Sequence, residues 1–207
     1  MSYTTPTLPV SPQTKEDALR ESVIVAAQRL FQHYGLAKVT LEDIAKAIGK
    51  GKSTLYYYYK SKEEIFTAVM DREIGEVMVE MAKAVEAAAT AEEKLCVFSL
   101  TKLRALRKKL ALYGIVCKEV NSQAEFTCAM RQSYMKRESV LLRGILRFGI
   151  ETRELGRLNP NDVDALVFVM LSGLHGMELE MMSNNNFNML EPAVGILTRS
   201  LIHGLKS

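Results

Sequence analysis

Residues 40–49 constrain the fold more than any other stretch of this chain. Thr40 precedes Leu-Glu-Asp, so its hydroxyl can accept from the Asp43 backbone N–H while the Asp43 carboxylate reaches back to the Thr40 N–H. Val39 and Ile44 stand at the spacing of a hydrophobic staple across that cap. Leu41, Ile44, Ala45 and Ile48 then make a short apolar stripe, and Gly49 ends it. A helix of barely two turns is not stable alone, so its neighbours must hold it.

Those neighbours are legible. Upstream, Val23, Ala26, Ala27, Leu30 and Phe31 recur on one helical face and Gly35 follows as a left-handed stop, which predicts a helix from Thr14 to Tyr34. Downstream of Gly49–Lys50–Gly51, a second short helix is expected from Lys52 to about Tyr59. Ser61 opens a longer one, with Glu64 three residues on as a second capping box. Ile65, Phe66, Val69 and Met70 give it a buried side, and the pattern continues through Met78 and Met81 towards Ala88. Two short helices joined by a glycine-containing turn are what a helix-turn-helix requires.

Beyond Thr90 there is no strand-like alternation. Leu95, Phe98, Leu103 and Leu106 predict a fifth helix interrupted near Gly114, and one or two more cover Ile115 to Ile150. Asn159-Pro160 is a helix start, followed by the stripe Val163, Leu166, Val167, Met170, Leu171 and Leu174. An Asn184–Asn186 turn leads to a last helix from about Leu190. The expected architecture is all-α with about nine helices. It comprises a Ser/Thr/Pro-rich tail (1–13), a helix-turn-helix domain (14–60) and a larger helical domain (61–207). A composition of 48% hydrophobic and 25% charged residues is sufficient for such cores.

Several classes drop out. No apolar run approaches the ~20 residues of a membrane span, and Met1 to Gln13 has neither the basic start nor the apolar core of a signal peptide. Cys96, Cys117 and Cys128 share no short spacing, which argues against a disulfide framework or a metal site and fits a reducing cytoplasm. Only three histidines (His33, His175, His203) are present, and no nucleophile, base and orienting group come together, so no enzyme and no cofactor is expected.

The segment that carries function is Thr40 to Lys62. The net charge of +3 says little, but Lys46, Lys50, Lys52, Lys60 and Lys62 follow one another with no acidic residue between the first and last. Ser53, Thr54, Tyr56, Tyr57 and Tyr58 are interleaved with them. Hydroxyls and ammonium groups suit phosphate oxygens and base edges, and tyrosine rings suit thymine methyls. Lys62 also stands where a helix start favours an anion. A helix turns about 100° per residue, so Tyr56 to Tyr59 cannot all face a core. Leu55 and Tyr59 are expected inward, and Tyr56, Tyr57 and Tyr58 outward.

The runs Val39-Thr-Leu-Glu-Asp-Ile-Ala-Lys-Ala-Ile-Gly49 and Lys52-Ser-Thr-Leu-Tyr-Tyr-Tyr-Tyr-Lys-Ser-Lys-Glu-Glu-Ile-Phe66 resemble the DNA-binding signature of the TetR family of bacterial regulators. Ala26-Ala-Gln-Arg-Leu-Phe-Gln-His-Tyr-Gly35 is similar to that family's first helix. The resemblance implies that the helix from Lys52 enters the major groove of an operator, with Lys52, Ser53, Thr54, Tyr56 and Tyr57 at bases or adjoining backbone. It implies that Thr40, Tyr58 and Lys62 grip phosphates. Lys50 and Gly51 depart from the usual apolar residue and serine cap, Tyr59 from a phenylalanine, and Lys60 from a frequent proline.

The same resemblance implies a palindromic operator, a homodimer through the last two helices, and a cavity for a small, largely apolar effector that releases the DNA. In that mechanism the effector moves the helix starting at Lys62 and changes the spacing of the recognition helices. Gly173 and Gly176 would let a partner helix approach, or would bend the helix within one chain. Met78, Met81, Phe98, Leu103, Tyr113, Cys117, Phe126, Met130, Tyr134, Phe148 and Met170 can line a cavity, though the same spacing also describes an ordinary bundle core. His175 can orient a ligand or be satisfied inside the core. Lys102, Arg104, Arg107, Lys108 and Lys109 read as a solvated helix face. A DNA-bound architectural protein without a ligand would share the helix-turn-helix and the dimer. The expected place of action is the cytoplasm, on the nucleoid.

Overall fold

A computed structural model describes residues 14–108, 124–184 and 188–206, with the side chains of 124–131, 181–184 and 190 left out. Among these residues there is no strand. The elements in order are α1 (Lys15–Tyr34), α2 (Leu41–Ala47), α3 (Lys52–Tyr58), α4 (Lys62–Ala87), α5 (Ala91–Lys108), α6 (Ala124–Glu151), a single 3₁₀ turn (Pro160–Asp162), α7 (Val163–Asn184) and α8 (Leu190–Leu205). The all-α expectation is met. The expected tail at 1–13 and the break near Gly114 lie outside the described residues.

The described chain divides into two compact units, residues 14–76 with 124–130, and residues 77–108, 131–184 and 188–206. The division falls within α4, after Glu76.

In the N-terminal unit Thr14 caps α1, its hydroxyl accepting from the Asp17 N–H at 3.0 Å. Gly35 ends α1 at φ 82°, a conformation open to glycine, and donates to the Phe31 carbonyl at 3.0 Å. Val23, Ala27 and Phe31 then meet Ile44, Leu55, Ile65, Phe66 and Val69 in one core. The Phe31 and Phe66 rings meet edge to face, their centroids 5.7 Å apart. A part-buried Gln28–Glu73 hydrogen bond and an Arg72–Glu21 ion pair tie α1 to α4.

The C-terminal unit packs α5 against α7 and α8. Its core includes Leu95, Phe98 and Leu103 of α5, Leu142 and Leu146 of α6, Val167, Leu171 and Leu174 of α7, and Val194 and Ile202 of α8. After α6 the chain turns sharply, and the Leu155 N–H donates to the Gly149 carbonyl at 2.9 Å. Gly149 is required there because a Cβ would lie 2.5 Å from Leu155 Cδ1 and 3.0 Å from Ala91 Cβ. The Asn159-Pro160 start behaves as its chemistry dictates. The Asn159 side chain accepts from the Asn161 N–H at 2.9 Å, and one 3₁₀ turn leads into α7.

One reading needs correction. Arg104, Arg107 and Lys108 are exposed, as expected of a solvated face, but Lys102 is only 2% exposed. It lies on the inward face of α5, three residues after Ser99 and four after Phe98, and it meets two carboxylates there. Lys109 lies outside the described residues.

Candidate nucleic-acid interface

The interface is built from its back outward. At the start of α2 the capping box is complete: the Asp43 N–H donates to Thr40 Oγ1 at 3.2 Å, and the Thr40 N–H donates to Asp43 Oδ2 at 2.9 Å. The Thr40 hydroxyl also donates to Asp43 Oδ2 at 2.7 Å, and this bond, with that of the Thr40 N–H, holds the Asp43 carboxyl below its ordinary range, Lys46 adding a smaller pull. The turn after α2 places Gly49 at φ 66° and lets the Lys50 N–H reach the Ala45 carbonyl at 2.9 Å. Gly51 caps α3 with extended backbone and no side-chain hydrogen bond, as its lack of a side chain dictates.

α3 has two faces. Leu55 is fully buried and Tyr59, just past the helix end, is 5% exposed, so both anchor the helix to the core. Burial pushes the Tyr59 phenol above its ordinary value, partly opposed by the Arg20 guanidinium. On the opposite side Lys52, Ser53, Tyr56 and Tyr57 face solvent, Tyr56 at 50% and Tyr57 at 78% exposure. Their spacing of four residues, twice over, makes one helical face. Thr54 and Tyr58 lie between the faces, half-buried. The Tyr58 ring meets the edge of Tyr57 at 5.0 Å between centroids.

Arg20 of α1 escaped the sequence reading. Its guanidinium stands 5.3 Å from the Tyr58 ring and 5.7 Å from that of Tyr59, bracing the end of α3 and adding a positive charge beside it. No local signal pairs a residue near the start of α1 with tyrosines after α3. Lys62 also has a local partner: its ammonium donates to the Leu36 carbonyl at 2.7 Å and lies 3.4 Å from that of Ala37. An ammonium carries three donors, so this strap between α4 and the α1–α2 turn leaves one for a phosphate. Lys46, Lys50 and Lys60 are exposed around the same surface. At the start of α4, Ser61 Oγ accepts from the Glu64 N–H at 3.2 Å, but the Glu64 carboxylate takes the Lys60 N–H at 2.6 Å instead of that of Ser61.

A sequence model of bacterial regulatory proteins of the tetR family matches residues 23–69, the span of this interface and its supporting core. Residues 23–69 thus carry the sequence signature of that family. Over 96 residues it is 40% identical to an uncharacterised HTH-type transcriptional regulator of Mycobacterium tuberculosis, a match covering 44% of this chain and 46% of that protein. The chain thus matches about half the length of that relative. The HTH-type transcriptional regulator TtgR of Pseudomonas putida is 29% identical over 161 residues, covering 74% of this chain and 75% of that one. The crystal structure of a transcriptional regulator from Cytophaga hutchinsonii matches with a TM-score of 0.71 at 27% identity, covering 90% of this chain and 98% of that one. These relatives are transcriptional regulators.

The expected pocket residues divide. Met78, Met81, Phe98, Leu103 and Met170 are buried in the C-terminal unit, while Tyr134, Phe148 and His175 are half-buried. Phe148 lies under the Lys94 ammonium at 4.9 Å. His175 Nδ1 meets Glu178 Oε2 at 3.1 Å. Tyr113 and Cys117, and the side chains of Phe126 and Met130, lie outside the described residues. Among the described residues, no helix is long and apolar enough to cross a membrane.

Proposed function

We propose that this chain is a transcriptional regulator that reads duplex DNA with α3 and responds to a small molecule bound by its C-terminal unit. The observation that carries the reading is the outward face of α3. Lys52, Ser53, Tyr56 and Tyr57 project from a helix whose back is fixed by Leu55 and Tyr59. The major groove, about 12 Å wide, admits such a helix, and these groups can meet base edges and thymine methyls. Thr40, Tyr58, Arg20 and the free donor of Lys62 flank it as phosphate contacts, which set register without reading sequence.

A two-turn helix spans too few base pairs for useful selectivity, so a second copy completes the site. The outer faces of α7 and α8 suit that partner. Phe168, Val169 and Leu179 on α7, and Ile196 and Leu197 on α8, are exposed. Gly173 and Gly176 lie on the same stripe of α7, and a Cβ on either would meet nothing within 4 Å in this chain. Packing within one chain therefore does not call for glycine at these positions. Close approach of the same helix from a second copy does. A palindromic operator follows from that two-fold pairing.

Footprinting of the purified protein on DNA upstream of its own gene, at physiological salt with excess competitor DNA, tests the reading. A protected two-fold-symmetric site is expected. Salt-sensitive binding everywhere, with no protected site, would overturn specific regulation. The effector must bind two states of the dimer unequally, so a tight ligand that left operator affinity unchanged would refute the coupling.

A further inference from the structure

The outward face of α3 is poor in groups that tell bases apart by hydrogen bonding. From Lys52 to Tyr59 the sequence holds no arginine, asparagine, glutamine, aspartate or glutamate. Lys52 is the one side chain there that only donates, which suits guanine O6 and N7. Ser53 and the phenols of Tyr56 and Tyr57 both donate and accept, and a hydroxyl that rotates to suit its partner fits most base edges. Discrimination by the rest of this face has to come from apolar contact, and the apolar group that the major groove presents is the thymine methyl.

Tyr57 is placed for that contact and held for it. It is the most exposed tyrosine of the run, at 78% against 50% for Tyr56. Its ring nevertheless packs edge to face on the ring of Tyr58, with centroids 5.0 Å apart and planes at 81°. Tyr58 is half-buried against the core of the unit. Beside it stands the Arg20 guanidinium of α1, 5.3 Å from the Tyr58 ring centroid and 5.7 Å from that of the buried Tyr59. A row from Arg20 through Tyr58 to Tyr57 thus joins α1 to the solvent-facing ring. A ring oriented before binding loses less freedom when it meets a base.

We propose that Tyr57 reads a thymine methyl in each half-site, and that Tyr58 and Arg20 are positioning residues that hold its ring for that contact. This rests on the reading of α3 as the groove-binding helix and names the base feature it recognises. It gives Arg20 and Tyr58 a part in selectivity, which phosphate contacts alone do not supply.

The test compares operators that differ by methyl groups alone. In the footprinted site each thymine is replaced in turn by deoxyuridine, symmetrically in both half-sites, and the affinity of the full-length protein is read by fluorescence anisotropy at fixed salt. The ratio of the two affinities cancels folding, dimerisation and phosphate contacts, because both operators share them. One buried methyl corresponds to about a four-fold change, so a ratio of about fifteen-fold is expected where both half-sites lose it. Tyr57→Ala should bring that ratio close to one. Arg20→Gln, at an exposed position, should lower it to about four-fold or less, and Tyr58→Leu should act in the same way. Arg20→Lys keeps a cation beside the Tyr58 ring and should retain most of it. A ratio near one at every thymine, or a full ratio that survives Tyr57→Ala, would overturn the methyl reading. A full ratio that survives both Arg20→Gln and Tyr58→Leu would overturn the positioning row. A protected site without methyl dependence sinks this proposal alone, whereas the lack of any protected site sinks the DNA reading and this proposal with it.

Discussion

Tyr57 and Tyr59, two residues apart on a run of four tyrosines, should respond to the same substitution in opposite ways. Tyr57 is 78% exposed, so truncation to alanine removes roughly 45 Å² of buried surface from a side chain of about 200 Å². At ~25 cal/mol per Å² that is about 1 kcal/mol as an upper bound, since the unfolded chain also buries part of its surface. Tyr59 is 5% exposed, and its truncation opens a cavity in the core with Phe31 and Phe66 at a cost of about 3–5 kcal/mol. On DNA the order reverses. A side chain reading a base edge or methyl contributes about 1–3 kcal/mol of discrimination, and in the proposed dimer two copies of Tyr57 would meet one operator. Tyr57→Ala should therefore weaken the footprinted site by about ten-fold or more, with melting temperature nearly unchanged. Tyr59→Ala should lower the melting temperature sharply and lose binding only through unfolding. Calorimetry and fluorescence anisotropy on a labelled operator separate the two. Unchanged operator affinity of folded Tyr57→Ala would refute the placement of α3 in the groove.

Other consequences follow from single positions. Gly51 caps α3 at φ −77° and ψ 154°, with the nearest atom to an added Cβ, Ser53 Oγ, 3.8 Å away, so Gly51→Ser should supply the missing cap. The gain is a few tenths of a kcal/mol, read as a small rise in urea midpoint. Gly149→Ala should destabilise the C-terminal unit by about 1–3 kcal/mol, because the new methyl collides with Leu155, and thermal unfolding checks this. The carboxyls of Asp43 and Glu93 are held down by hydrogen bonds to helix starts, so their contribution is present above the unfolded carboxyl range and is lost as pH falls through their folded values. Asp43→Asn should flatten the acid limb of the melting-temperature profile. Glu138, raised by burial, acts in the opposite sense. Its contribution is present below the unfolded carboxyl value and is lost as pH rises towards the folded one, so Glu138→Gln should flatten that limb of the profile.

The N-terminal unit was legible because its signals are local. A cap is read within four residues, as at Thr40 and Asp43, and a left-handed stop within one, as at Gly49. The facing of Tyr56, Tyr57 and Tyr59 needed only the helical period, since one buried neighbour, Leu55, sets the phase, whereas Tyr58, expected outward, is half-buried against the core. What escaped were polar groups whose partners are remote. Lys62 was read as a phosphate contact from its place at a helix start, but the carbonyls it straps belong to the turn after α1.

Lys102 shows the same failure where it matters more. Beside Arg104, Arg107 and Lys108 it looks like one more charge on a solvated face, and Glu138 beside Lys136 and Arg137 looks no different. Each is buried only because α5, α6 and α7 bring the two together with Glu178, and no periodicity within one helix records that meeting. A charge in such a place is costly unless something compensates it, and here the ammonium and the carboxylates compensate one another. The apolar stripe of α5 accounts for a core at Leu95, Phe98 and Leu103, but not for an ammonium held between two carboxylates in its midst. Local agreement throughout the N-terminal unit and local conflict at Lys102 and Glu138 thus separate what a sequence pattern records from what only tertiary contact decides.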